Sequence, residues 1–292
     1  MVAPVVAATV IILRPDAAAR GETFRVFLVR RHHRSGFMAN AYVFPGGKVD
    51  PADSEQRWAP FVFGLTEKNS YDTLYGAPDP AAICVAALRE TLEEANVFLA
   101  TDSTGDDLPV HDDMMWKRVR MFRENPTPDG FFELVSEFDL RLRFDWMAVW
   151  DHWVTPVIEP KRFDTHFFVA ALPHGQEPIH DARETTDSVW LSPTEALEHY
   201  YTNKLDLAPP TIAVMVDLQQ YKTVGEVFAQ ARLRGPCSPV LPVAIWQNNE
   251  LVLVLPGDVD YPESPGTEYK RAVLRGGRFY LIRSAPDISP TQ

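Results

Sequence analysis

Residues 81–97, AAICVAALRETLEEANV, are compatible with one regular element, an amphipathic helix. Asp79 and Pro80 precede them, an N-cap acceptor followed by the residue best suited to the first helical position. At 100° per residue Val85, Leu88, Leu92 and Ala95 share one face. Glu90, Glu93 and Glu94 share the opposite face, at i, i+3 and i+4. Three carboxylates this close repel one another. They are either solvated or held around a hard divalent cation such as Mg²⁺ or Mn²⁺, which takes oxygen ligands.

The net charge of −12 argues against a nucleic-acid partner, which needs a basic face. A small anionic substrate stays compatible, because a bound cation reverses the local field. The two cysteines, Cys84 and Cys237, are far apart and match no metal or redox spacing, so a reducing compartment, the cytoplasm, is expected. The longest apolar run, residues 5–13, is about half a membrane span, and the first residues lack the basic start of an export signal. No membrane partner is expected.

Along the chain, residues 5–14 and 23–31 read as strands joined through turn residues 15–21. Arg30, Arg31 and Arg34, with His32 and His33, form a basic cluster that is either a solvated loop or a grip on phosphate. Residues 41–43 read as a short strand stopped by Pro45, and Gly46-Gly47 allow close backbone approach to a ligand. Residues 101–113 read as an acidic surface loop, and 114–144 as two helices broken at Asp129-Gly130. Strands are expected at 154–157 and 167–172, with Lys161-Arg162 between them as a hairpin ion pair or a phosphate contact. Residues 188–191 close as a strand before a helix capped by Ser192 and Glu195. After Pro209-Pro210, residues 211–234 read as one helix interrupted near 222–225. Two hairpins follow, turning at Asn248-Asn249 and Gly276-Gly277.

FPGG at 44–47 followed by RETLEE at 89–94 resembles the Nudix box of the Nudix hydrolases. Gly47, Arg89, Glu90, Glu93 and Glu94 match that pattern residue by residue. Asp53 stands where its first Glu is expected, Thr91 replaces a bulky apolar residue, and Asn96 replaces a Gly that tolerates the left-handed cap. The spacing departs most: 35 residues separate Asp53 from Arg89, where the pattern has seven. A long insertion inside the box, residues 54–79, is similar to the coenzyme A diphosphatase branch. So are Gly36-Phe37-Met38, the run at 153–156 (WVTP) and the run at 160–165 (PKRFDT).

The resemblance implies an α/β fold, a Nudix α/β/α sandwich with a mixed sheet. It implies a Nudix domain over 1–206 with the insertion at 54–79 and a helical excursion at 112–146. Residues 207–292 are expected as a C-terminal helix and hairpin extension packed on that core. The implied activity is metal-dependent hydrolysis of a diphosphate, coenzyme A or acyl-coenzyme A giving 3′,5′-ADP and (acyl-)4′-phosphopantetheine. Glu90, Glu93, Glu94 and the Gly46 carbonyl are the expected ligands of Mg²⁺ or Mn²⁺. Glu93, Glu94, Arg89 and Glu184 are the expected catalytic set, with Asp187 second to Glu184. Arg30, Arg31, Arg34 and Arg162 are the expected substrate contacts, and a homodimer is expected. Residues 28–36 match the arginine motif of coenzyme A-directed members only loosely. ADP-ribose, NADH or a nucleotide sugar therefore remain as substrates, and a non-catalytic ligand-binding module as a third reading.

Overall fold

The computed structural model describes residues 2–16, 24–34, 38–64, 74, 76–108, 113–234, 237–267 and 269–284. Gly36, Phe37 and residues 65–73 of the insertion lie outside them. Among the described residues the main sheet is built from β1 (Val5–Pro15), β2 (Phe24–Arg31), β3 (Tyr42–Val43), β4 (Gly46–Lys48), β8 (Met147–Val154), β9 (Phe163–Ala171) and β10 (Thr185–Leu191). Its order is β10-β2-β1-β9-β8, with β3 added to β2 and β4 to β1. β1 runs parallel to β9 and antiparallel to β2 and β4, so the sheet is mixed, as expected.

The period-2 alternation of β1 divides the core. Ala8, Val10 and Ile12 face one buried cluster, and Ile11 and Leu13 face the other. The first cluster is roofed by α1 (Pro80–Ala95), α2 (Asp113–Glu124) and α3 (Pro128–Glu137). The second is roofed by α4 (Pro193–Tyr201), α5 (Pro209–Leu218) and α6 (Val224–Leu233). Helices on both faces make the α/β/α sandwich.

Several expectations shift. The β3 strand does not end the pairing at Pro45, because Gly46–Lys48 resume it against β1. A Cβ on Gly46 would run into the β1 backbone at Ala8 and Thr9, so this pairing needs glycine there. The helical excursion breaks at Asn125-Pro126, not at Asp129-Gly130. Thr127 caps α3 through the Gly130 N–H, and Pro128 opens it, which places Asp129-Gly130 in the first turn. The strand expected at 154–157 lies earlier, at Met147–Val154, and β9 starts at Phe163. The interruption expected near 222–225 in the 211–234 helix is a full break that starts earlier, after Leu218, with Thr223 capping the second helix.

The insertion and the excursion meet. Val62–Phe63 (β5) of the insertion joins Ala100–Thr101 (β6) and Arg141–Arg143 (β7) in a small sheet. Trp58 packs on Phe131 and Phe132, with ring centroids 5.3 and 5.2 Å away.

In the tail, Val243–Gln247 (β11), Glu250–Val254 (β12), Tyr269–Arg275 (β13) and Arg278–Ser284 (β14) form one antiparallel sheet. The two expected hairpins form and pair with each other through β12 and β13. Asn248 and Asn249 both have positive φ, the geometry of a two-residue hairpin turn. A buried Arg271–Asp258 ion pair, joined by Asp260 and Gln247, ties the strands to the preceding turn. Among the described residues no helix is long and apolar enough to cross a membrane.

Candidate functional site

The α1 helix begins as its sequence dictates. Asp79 accepts the Ala82 N–H, Pro80 occupies the first turn, and Asn96 ends the helix in the left-handed conformation. Thr91 is fully buried, and its hydroxyl donates to the Ala87 carbonyl at 2.6 Å, which satisfies a polar group where the family pattern has an apolar one. The acidic face is not solvated. Packing on both sides of α1 leaves Glu94 8 % exposed and the Glu90 and Glu93 side chains 12 % and 15 % exposed.

Arg89 is the counter-charge inside this cluster. Its Nε and Nη2 donate to the two Asp53 carboxylate oxygens at 2.9 and 2.8 Å. Its Nη1 donates to Glu90 at 2.8 Å and Glu93 at 3.1 Å, and Nη2 also reaches the Lys48 carbonyl. Burial alone would lower the Arg89 pKa, but the Asp53 hydrogen bonds and the neighbouring carboxylates outweigh it and raise it. Asp53 accepts the Asp50 N–H as well, inside a capping box. The residue in the place of the first box Glu therefore spans the insertion to hold Arg89.

Gly46 N–H donates to Glu94 Oε2 at 3.0 Å. Gly47 has no room for a side chain, because a Cβ would overlap the Glu90 carboxylate. Gly47→Ala is expected to keep the fold, since the obstruction is the tip of a flexible side chain, but to push Glu90 out of place. The kcat should fall by about 10²-fold, the scale of a 1 Å misplacement, with an unchanged melting temperature. A wild-type kcat would show that Glu90 is not needed at this position.

A cavity of about 400 Å³ opens beside these residues, lined by Arg31, His32, Arg34, Val43, Glu94, Arg183, Glu184 and Thr185. Burial pushes the Glu90 pKa up to about 7, with Glu93 and Glu184 adding repulsion. Burial, then Glu90, raises the Glu94 carboxyl well above the carboxylate range, and Glu93 is raised chiefly by burial too. Glu90, Glu93 and Glu94, with Glu184 close enough to repel them, concentrate negative charge around one guanidinium, itself shared with Asp53, and carboxylate oxygens are the donors a hard divalent cation takes.

Glu184 comes into this site because Asp181 shapes its loop. The Asp181 carboxylate accepts the N–H groups of Arg183, Glu184 and Thr185 and the Thr185 hydroxyl. Arg31 and Arg34 line the cavity. Strand alternation sends Arg30 to the other face, where its neighbour across the ladder is Asp187. Asp187 accepts from the Tyr42 hydroxyl at 2.7 Å and does not line the cavity. Arg162 is also a correction. It is buried, and its guanidinium donates to the Thr155 and Val2 carbonyls, so it holds strand ends together. Arg183 is a cavity residue that sequence reading passed over, although it adjoins Glu184 in the chain, and His32 of the basic cluster lines the cavity too.

A second titratable cluster, His152, Asp164 and His166, lies on β8 and β9. The two imidazoles stack 4.0 Å apart at 21°. Ligand atoms of the three residues lie within 4.8 Å of one another, a spacing a metal ion could bridge. His152 pairs with Asp164. Burial, then the His152 charge, lowers the His166 pKa to about 4, so this ring stays neutral.

A family model described as the NUDT19 Nudix domain matches residues 2–72 and 60–218. The chain is similar to the acyl-coenzyme A diphosphatase NUDT19 of Xenopus laevis, 28% identical over 313 residues, covering 92% of this chain and 82% of that protein. It is similar to the human protein of the same name, 27% identical over 287 residues, covering 85% and 75%. The fold is similar to that of a Nudix hydrolase from Alicyclobacillus acidocaldarius, with a TM-score of 0.64 and 25% identity, covering 78% of this chain and 97% of that one.

Proposed function

Because this chain belongs to the Nudix hydrolase family, in the branch described by the NUDT19 Nudix domain, we propose that it hydrolyses the diphosphate of coenzyme A or an acyl-coenzyme A. The products are 3′,5′-ADP and (acyl-)4′-phosphopantetheine. One observation carries the reading: Glu94, from the buried α1 carboxylate cluster, and Glu184 line one cavity that Arg31, His32, Arg34 and Arg183 rim with positive or ionisable groups.

Glu90, Glu93 and Glu94 would hold the cation, with the Gly46 carbonyl as a further ligand, and such oxygen donors would favour Mg²⁺ or Mn²⁺. When bound, the cation neutralises the diphosphate and acidifies the attacking water. Arg89 fixes the Glu90 and Glu93 carboxylates before substrate arrives. Glu184 accepts the water proton as the new P–O bond forms and the bridging P–O bond breaks. Arg31, Arg34 and Arg183 face the remaining phosphate charge. The name of the relatives, acyl-coenzyme A diphosphatase, supports this substrate class.

The same reading places the enzyme in the cytoplasm, in keeping with two cysteines that form no disulfide with each other. It takes a small nucleoside diphosphate derivative as partner, without nucleic acid or membrane. The assembly is a homodimer through α2, which exposes Met114 and Met121 seven residues apart. Product analysis tests the activity. Protein with Mg²⁺ or Mn²⁺ is expected to release 3′,5′-ADP from coenzyme A and acyl-coenzyme A. Release of products from ADP-ribose, NADH or UDP-glucose alone would overturn the substrate, and no turnover with ligand-induced thermal stabilisation would replace the enzyme with a binding module.

A further inference from the structure

The α1 helix ends with carbonyls that lack intrahelical donors. The left-handed cap serves two of them: Asn96 N–H donates to Leu92 O and Val97 N–H to Thr91 O. Arg123, in the last turn of α2, reaches across the same end. Its Nε donates to Leu92 O at 3.0 Å and Glu93 O at 3.2 Å, and its Nη2 to Ile179 O at 2.9 Å. A cation at a helix C-terminus is also favoured by the helix dipole. One half-buried guanidinium thus ties the helix that carries Glu93 and Glu94 to the loop that carries Glu184.

The loop is stitched to the helix on either side of that contact. Ile179 N–H donates to Ala95 O, Asn96 Nδ2 to Glu177 O, and Gln176 exchanges two hydrogen bonds with Phe98. Two residues after Ile179, Asp181 sets the turn that presents Glu184. Arg123 is itself anchored. Its neighbour Phe122 packs on Phe131 at 5.8 Å, and Phe131 packs on Trp58, whose Nε1 donates to Ala52 O. The box insertion and the helical excursion together form the brace on which Arg123 stands.

We propose that Arg123 is a positioning residue that sets the separation between the α1 glutamates and Glu184. This rests on the proposed roles of those carboxylates in binding the cation and taking the water proton. The test uses chelator-stripped protein and Mn²⁺ alone, with binding read by the electron paramagnetic resonance of free Mn²⁺, followed by acyl-coenzyme A turnover. Arg123→Ala is expected to weaken Mn²⁺ binding and lower kcat, each by about tenfold, the scale for groups that orient metal ligands, with KM within about twofold. Arg123→Lys should recover part of both losses, because an ammonium reaches fewer of the three carbonyls. Arg118→Ala, on the same helix as Arg123, removes only a pair with Glu137 of α3 and should match wild type. Wild-type Mn²⁺ affinity and kcat in Arg123→Ala, even with a lower melting temperature, would overturn the proposal. Should Arg123→Ala fail to fold, wild-type affinity and kcat in Arg123→Lys would overturn it instead. If wild type binds Mn²⁺ but cleaves no diphosphate, the functional reading fails while the binding comparison still decides the role of Arg123.

Discussion

Glu94→Gln is expected to lower kcat by about 10³-fold, the upper range for removing one element of transition-state electrostatics, without loss of the fold. The glutamine oxygen can still accept the Gly46 N–H that now bonds Glu94 Oε2, so the backbone anchor survives. The missing element is the negative charge. Burial and the neighbouring Glu90 charge disfavour that ionised carboxylate, so the neutral amide relieves repulsion when no cation is present. In chelator, Glu94→Gln should melt at or above wild type, and added Mn²⁺ should stabilise it less than it stabilises wild type. Activity within tenfold of wild type would remove Glu94 from the cation site.

Arg89→Ala should cost the most stability. Asp53 is 2 % exposed, and both of its carboxylate oxygens receive Arg89. Removing one partner of a buried pair leaves the other charge uncompensated, at a cost of about 3–5 kcal/mol. At about 2–4 °C per kcal/mol for a domain near this size, the melting temperature should fall by roughly 10 °C. Activity should be lost as well, because Glu90 and Glu93 lose the donor that orients them. Adding Asp53→Asn should restore part of the stability, since the Asn oxygen can still accept the Asp50 N–H, but none of the activity. Melting curves of the two single variants and the double variant measure this coupling. Additive losses would show that Asp53 and Arg89 do not act as a pair.

The α1 helix was legible in sequence because its determinants are local: an Asp cap, a Pro at the first turn, an apolar stripe and Asn96 at the end. The strands of β1, β2 and β10 and the Asn-Asn hairpin were legible for the same reason. The fate of the acidic face was not. A helix wheel places Glu90, Glu93 and Glu94 together but says nothing of what covers them. Cover comes from the main sheet on one side and from the insertion and excursion on the other, segments whose docking depends on contacts such as Trp58 with Phe131.

The break in the excursion moved because Asp129-Gly130, a common breaker pair, sits in a first helical turn that tolerates both residues once Thr127 caps it. Arg30 and Arg31 are adjacent in sequence and equally basic. Only the pairing of β2 with β3 and β10 decides which one faces the cavity. Arg162 looked like a phosphate ligand until two backbone carbonyls claimed it. Arg183, by contrast, enters through a turn shaped by the Asp181 side chain. The helix, its three carboxylates and the Gly-Gly turn facing them are written in the local sequence, because each depends on neighbours a few residues away. Long-range packing brings Asp53 to Arg89 across the 35 residues between them, and Glu184 to Glu94. Those meetings depend on contacts between distant segments, and burial there turns three surface-like carboxylates into a site that calls for a cation.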